Sequence, residues 1–277
     1  MASAQARILI LCKTYPSPSA RHCETSCVAG IDEFGQLVRL FPVPFRLIND
    51  DQKFKKWQWV KMRVAKATAD HRPESHKVFV DTIEIDGAPI GAQNSWRERR
   101  QILDGLKVHD SFASLEWSRK VNGSTLGLLR PKRLLALEIT ESGSPDWTPE
   151  EIDKLTQDQR QGGFFDQAPA LSRAGLRKIP YDFHYRYECE VEGKAVEYRH
   201  KIVDWEAGAL FWRCQRAYRG NWEPKFREQL ETRFANLDLM FLMGTIHRFP
   251  DRWLIVSLIY PPKRPTASTD QGSLFDL

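Results

Sequence analysis

The sequence predicts a mixed α+β fold, mainly β, arranged as two small barrels with helical insertions and a disordered C-terminal tail. Three observations lead there. Apolar and polar residues alternate with the two-residue period of strands, most clearly over Trp57 to Ala67, where Val60, Met62 and Val64 point one way and Lys61 and Arg63 the other. Turn-forming residues separate such runs at short intervals, as in Asp32-Glu33-Phe34-Gly35 and Glu192-Gly193-Lys194. Around Pro261, Pro262 and Pro265 the chain becomes a polar, proline-rich leash that cannot bury enough apolar surface to fold.

The elements follow in order. Arg7 to Thr14 reads as a buried strand, and Thr25 to Ile31 pairs with Gln36 to Phe41 in a hairpin ended by Pro42 and Pro44, because proline cannot donate to a ladder. Another strand is predicted over His76 to Ile85. Ser95-Trp96-Arg97-Glu98 has the pattern of a capping box opening a helix that Gly105 closes, and Thr148-Pro149-Glu150-Glu151 opens a second that ends near Gly162. Strands Leu126 to Leu129 and Leu134 to Thr140 flank the basic linker Arg130-Pro131-Lys132-Arg133. A basic loop (Arg173, Arg177, Lys178) precedes the hairpin Phe183 to Val191 and Ala195 to Val203. Helices over Trp205 to Tyr218 and Pro224 to Ala235 lead into strands Leu237 to Ile246 and Trp253 to Tyr260. The expected units are 1–140, 141–263 and a tail, 264–277.

With 277 residues, 42% hydrophobic and 28% charged, the chain has globular composition. A net charge of +5 suits a polyanionic partner without demanding one. The apolar runs Ile8 to Cys12 and Trp253 to Tyr260 are too short for a signal peptide core or a membrane span, so no membrane partner is expected. Five scattered cysteines argue against a disulfide framework and for a reducing, cytoplasmic setting. A glycine-rich phosphate loop, a helical His-Glu-x-x-His and a Gly-x-Ser-x-Gly elbow are all absent from the sequence, and no cofactor is expected.

Positive charge is concentrated between Ile90 and Leu135, where nine basic residues face four acidic ones, a surplus equal to that of the whole chain. Arg97, Arg99, Arg100, Arg119, Lys120, Arg130, Lys132 and Arg133, joined by Lys61, Arg63 and Arg72, are therefore the candidates for phosphate contacts. Trp96 and Trp117 are candidate platforms for bases. The plainer alternative is a solvated helix face and two core tryptophans. In the loop Asp70 to His76, His71 and Glu74 are candidates for proton transfer, against a simple polar turn in which Arg72 pairs with Asp70 or Glu74. Cys12 and Cys23, with Cys27 close by, are candidate thiolates. Cys-x-x-x-Cys is not matched by a second pair, so no metal is expected.

The segments Leu11 to Pro16, Val38 to Arg46, Asp70 to Ser75, Asp204-Trp205-Glu206 and Tyr260-Pro261-Pro262 resemble, in their joint order, the prokaryotic dual OB-containing domain family. That resemblance spans about Arg7 to Lys263 and implies two OB-like barrels and, by analogy, nucleic-acid binding. Gln271-Gly272-Ser273-Leu274-Phe275 looks like the peptide by which bacterial proteins dock on the DNA sliding clamp, with Leu274 and Phe275 filling an apolar pocket and Gln271 fixing register. Together these resemblances imply a DNA-binding accessory protein of a DNA-modification, DNA-processing or phage-defence (antiviral defence) system. The alternative is an enzyme acting on DNA bases or modified bases through the Asp70 to His76 loop and a cysteine thiolate.

Overall fold

The structure, a computed structural model, describes residues 3–19, 23–160 and 175–264. Its first region contains, in chain order, β1 (Ser3–Lys13), β2 (Ser17–Ser19), β3 (Cys23–Asp32), β4 (Leu37–Val43), β5 (Trp59–Lys66), β6 (Ser75–Val78), β7 (Glu84–Asp86) and α1 (Gln93–Asp104). Five of these strands close into a barrel in the order β1-β3-β4-β6-β5, with β5 returning to β1. Every pairing in it is antiparallel except β4 with β6, where Arg39 stands beside Ser75 and Leu40 beside His76. Such a partly Greek-key, five-stranded barrel is consistent with an OB-like fold.

Closure depends on the length of β1. Its first part, Ser3 to Leu9, pairs with β5, while Ile8 to Lys13 pairs with β3, so a single strand serves both neighbours. A register shift between Ile10 and Cys12 adds the local twist this turn requires. The strand is buried on both faces. Ile8 and Ile10 point into the barrel with Val28, Leu40, Val60 and Met62. Leu9 and Leu11 point outward, and with Ala29 and Ile31 they pack against Leu126, Leu128, Met240 and Leu242 of the second region. This double burial accounts for the unbroken apolar run Ile8 to Cys12, since each face has its own core.

The second region contains β8 (Val108–His109), α2 (Phe112–Asn122), β9 (Leu126–Leu129), β10 (Arg133–Glu141), α3 (Pro149–Arg160), β11 (Tyr181–Val191), β12 (Lys194–Lys201), α4 (Trp205–Tyr218), α5 (Trp222–Arg227), β13 (Met240–Ile246) and β14 (Phe249–Ile259). A single π-helical stretch, Glu228–Arg233, continues α5. The strands form a four-stranded sheet, β14-β13-β9-β8, and a three-stranded sheet, β10-β11-β12, which meet at the bridge between Ile202 and Ile255. Phe183, Tyr185, Phe211, Phe226 and Phe241 fill the space between them. No described helix is long and apolar enough to cross a membrane.

Several local expectations hold and others are corrected. Thr148 and Glu151 form the reciprocal cap foreseen for α3, with Glu151 N donating to Thr148 Oγ1 at 3.3 Å and Thr148 N to Glu151 Oε2 at 2.9 Å. The box at Ser95 does not form: Asn94, Ser95 and Trp96 take positive φ angles inside α1, and the Trp96 ring is buried against Trp57 and Tyr260. Burial of a large ring outweighs the local backbone preference there. Pro42 lies within β4 instead of ending it, because Phe41 and Pro42 stand opposite the register shift between Ser26 and Val28, where the ladder is already interrupted. Helix α2 was not foreseen, although Ser111 caps it through Ser114 N at 3.1 Å and Gly123, at φ 72°, closes it in the left-handed region.

Candidate nucleic-acid interface

OB-like barrels commonly use the face of their second and third strands, with the adjoining loops, to hold ligands. Here much of that face is covered. Ala29 and Ile31 on β3 lie under the second region, and Arg39 on β4 is buried with its Nη2 donating to Thr125 O at 2.9 Å. Away from that face, a cleft of about 510 Å³ opens at the barrel rim, between the end of β1, the Lys55-Lys56-Trp57 turn, α1 and the first turn of α4, with no residue of β3 or β4 in its lining.

Four cations line this cleft, Lys13, Lys55, Lys56 and Arg99, against one carboxylate, Glu206. Lys13 ends β1 with Nζ 3.6 Å from the centre of the Phe45 ring and 3.1 Å from Phe54 O, and burial pushes its pKa down to about 8. Lys56 donates to Leu258 O at 2.7 Å and stands 3.3 Å from Glu206 and 3.9 Å from Asp204. Burial opposes its charge, but the two carboxylates outweigh burial and hold its pKa above the ordinary lysine value. Asp204 is placed by its own role as N-cap of α4, accepting from Glu206 N at 2.6 Å, and it also takes the Leu258 N–H at 2.9 Å. Arg99 lies over Trp57 and Trp96, at 5.0 and 4.6 Å, with its fork on Ile90 O. Lys55, exposed at the rim, forms no ion pair among the described residues. Trp205 and Tyr260 are half-buried and keep part of their rings toward the cleft. Cations beside partly exposed rings are the chemistry that holds phosphate and base together.

Most of the predicted basic residues are engaged elsewhere. Six of the eleven are ion-paired: Lys61 with Asp86, Arg72 with Asp70, Arg119 with Glu116, Arg130 with Asp238, Lys132 with Glu190 and Arg133 with Glu188. Their charge is thus largely cancelled locally, and Arg72 is buried as well. Arg100 donates to Ser95 O and Pro262 O, and Arg63 lies over Phe79 at 4.4 Å. Arg97 and Lys120 are exposed, and neither is in an ion pair among the described residues. Only Arg99 of the eleven lines the cleft. Trp96 is a wall residue rather than a platform, whereas Trp117 is exposed on α2. Arg130, Lys132 and Arg133 border a separate groove of about 1190 Å³ with Lys263 and Arg264, the last described residues. Gln271, Leu274 and Phe275 lie outside the described residues.

The catalytic candidates do not converge. Both oxygens of Glu74 are spent on the second region, accepting from Thr125 N at 2.7 Å, Thr125 Oγ1 at 2.6 Å and Leu126 N at 3.2 Å. His71 is exposed and stacks on His247. Cys12 is buried with its thiol on Val256 O at 3.0 Å, and burial, reinforced by Asp204, drives its pKa well up, the opposite of a reactive thiolate. Cys23 lies on β3, its side chain outside the description. Arg72 makes the polar turn with Asp70 that was the plainer alternative.

Four cleft residues, Lys13, Lys55, Lys56 and Tyr260, with Trp205, were not among the sequence candidates. Lys13, Trp205 and Tyr260 nonetheless fall inside segments that carry the family resemblance. The signal was their shared membership of those segments, which composition alone does not reveal.

Fold and cleft together define an α+β protein with a closed five-stranded barrel and a cationic, aromatic-walled cleft at its rim. The chain belongs to the family described as Domain of unknown function (DUF8757), whose model matches residues 108–277. Residues 4–105 match a second family, Domain of unknown function (DUF8758). No curated protein matches the chain.

Proposed function

We propose that this chain is a DNA-binding accessory protein of a bacterial DNA-modification, DNA-processing or phage-defence system. It holds a DNA strand at the barrel-rim cleft and is tethered to the sliding clamp by its tail. The observation that carries the reading is the cleft itself: four lining cations against Glu206 in the lining and Asp204 buried behind Lys56, beside two partly exposed rings. Further support comes from the segments resembling the dual OB-containing family. Lys13, Phe45, Trp205 and Tyr260, from four of the five, gather at or behind this one site, with Phe45 edge-on to Trp205 at 5.5 Å. On this reading the second region, whose two sheets meet at Ile202 and Ile255, is the other OB-like unit. The tail adds a second, weaker contact that raises effective concentration on DNA near the clamp.

The cleft favours a single strand over a duplex, because its rings can meet a base only where the base is unstacked from its partner. The test is fluorescence-anisotropy titration of a labelled oligodeoxynucleotide with the wild-type chain and with Lys55→Glu, at several salt concentrations. Lys55 is exposed and bears no structural pairing, so the variant keeps its fold. Wild type is expected to bind with an affinity that falls steeply with salt, and Lys55→Glu about 10-fold more weakly, with a salt slope lower by roughly one. Binding that ignores salt, or that Lys55→Glu leaves intact, refutes the cleft.

A further inference from the structure

We propose that Asp70, His71 and His247 form a binding site for a divalent transition-metal ion, with Zn²⁺ the representative case. One ligand atom from each residue lies within 4.8 Å of the others. His247 Nδ1 is 3.2 Å from Asp70 Oδ1, and the His71 and His247 rings face each other at 5.3 Å with an interplanar angle of 27°. Ligand atoms about 2.0–2.2 Å from a zinc ion are about 3.4 Å apart, so the cluster must close by a little over an ångström. Both imidazoles are exposed, so rotation about their side-chain bonds would supply that movement, while the carboxylate is held in place.

The holding is done by Arg72. Its Nε and Nη2 reach Asp70 at 2.9 and 2.6 Å, its backbone N–H donates to Oδ1 at 3.1 Å, and its Nη1 is anchored on Thr245 O at 2.7 Å. A hydrogen-bonded outer partner that fixes a carboxylate is the usual support of a metal ligand. The guanidinium also offsets the charge of Asp70, so attraction for a cation comes mainly from the two imidazole nitrogens. That donor set suits zinc, cobalt, nickel or copper and discriminates against magnesium and calcium, which require oxygen ligands. Two imidazoles and one carboxylate leave at least one position for water.

The ligands come from the loop before β6 and from the turn between β13 and β14, 177 residues apart in the case of Asp70 and His247. They assemble only in the folded chain, so the ion ties the barrel to the four-stranded sheet and stabilises the fold by mass action. The site is distinct from the rim cleft and independent of what binds there.

Untagged full-length protein is titrated with Co²⁺ by absorption spectroscopy and with Zn²⁺ by calorimetry, in wild type, His71→Ala, His247→Ala and His76→Ala. One equivalent is expected to bind wild type and His76→Ala, with a cobalt spectrum lacking a thiolate charge-transfer band. The melting temperature should rise by about 5 °C at saturating zinc. His71→Ala and His247→Ala should each weaken binding at least about 10-fold and abolish that rise, with unchanged melting in the absence of metal. Absence of stoichiometric binding overturns the site, as does binding indifferent to both substitutions or accompanied by a thiolate band.

Discussion

Replacing Glu74 with alanine removes a carboxylate that joins the loop before β6 to the start of β9. It accepts from Thr125 N, Thr125 Oγ1 and Leu126 N, and Thr125 and Leu126 are both buried. Hydrogen bonds to a charged group contribute about 1.5–3 kcal/mol each, and a buried donor left without an acceptor costs about 1–3 kcal/mol. Three bonds to one carboxylate are not additive. Arg39 retains Thr125 O, so the neighbouring cross-link survives the substitution. The expected destabilisation is therefore about 3–5 kcal/mol, a large share of the roughly 5–15 kcal/mol by which native proteins are stable. Urea unfolding of wild type, Glu74→Ala and Glu74→Gln measures it. The glutamine variant should lose less, because its amide oxygen still accepts from one backbone N–H. A loss below about 0.5 kcal/mol for Glu74→Ala would show that these three bonds carry no net stability.

DNA binding at the cleft should weaken between pH 7 and pH 9. Lys13, with its pKa lowered to about 8, is charged below that value and neutral above it, so its contribution to phosphate binding is present at the acid side and lost as pH rises. Lys13→Arg, charged throughout, should flatten the profile measured by anisotropy; an unchanged profile would remove Lys13 from the contact. Replacing Leu274 and Phe275 together by alanine should abolish binding to purified sliding clamp while altering stability by no more than about 0.5 kcal/mol. Wild type that fails to bind clamp, or a variant that melts well below it, would show that the tail is not a docking peptide.

Part of the barrel was legible in the sequence because several of its strands obey simple rules, whereas the single strand expected over His76 to Ile85 is instead β6, a 3-10 turn at Val80–Thr82 and β7. Val60, Met62 and Val64 alternate inward as expected, and the Asp32 to Gly35 turn lies between paired strands. Long-range geometry was less legible. Nothing in the spacing of Lys13, Lys56 and Trp205 along the chain indicates that they share a cleft, since their meeting depends on closure of the barrel and docking of α4. The basic window from Ile90 to Leu135 misled in a different way. Its count of charges was correct, but Glu188, Glu190 and Asp238, which neutralise three of its members, come from strands or loops more than 50 residues distant. Composition within a window cannot register partners outside it. Likewise Glu74 and His71 are three residues apart yet face different neighbours, one turned to Thr125 and the other to His247.

The two-faced strand β1 also bears on how such a protein can be inherited. The two matched families divide the chain near residue 106, yet Leu9 and Leu11 on one side of that division are covered by Leu126, Leu128, Met240 and Leu242 on the other. A gene fragment encoding the barrel alone would present that apolar face to water and invite aggregation. Recombination that exchanged one half for a distant relative's would have to match the shape of the face as well as the reading frame. A polar substitution at Leu9 or Leu11 would therefore disturb both halves at once, because each side chain is shared across the seam.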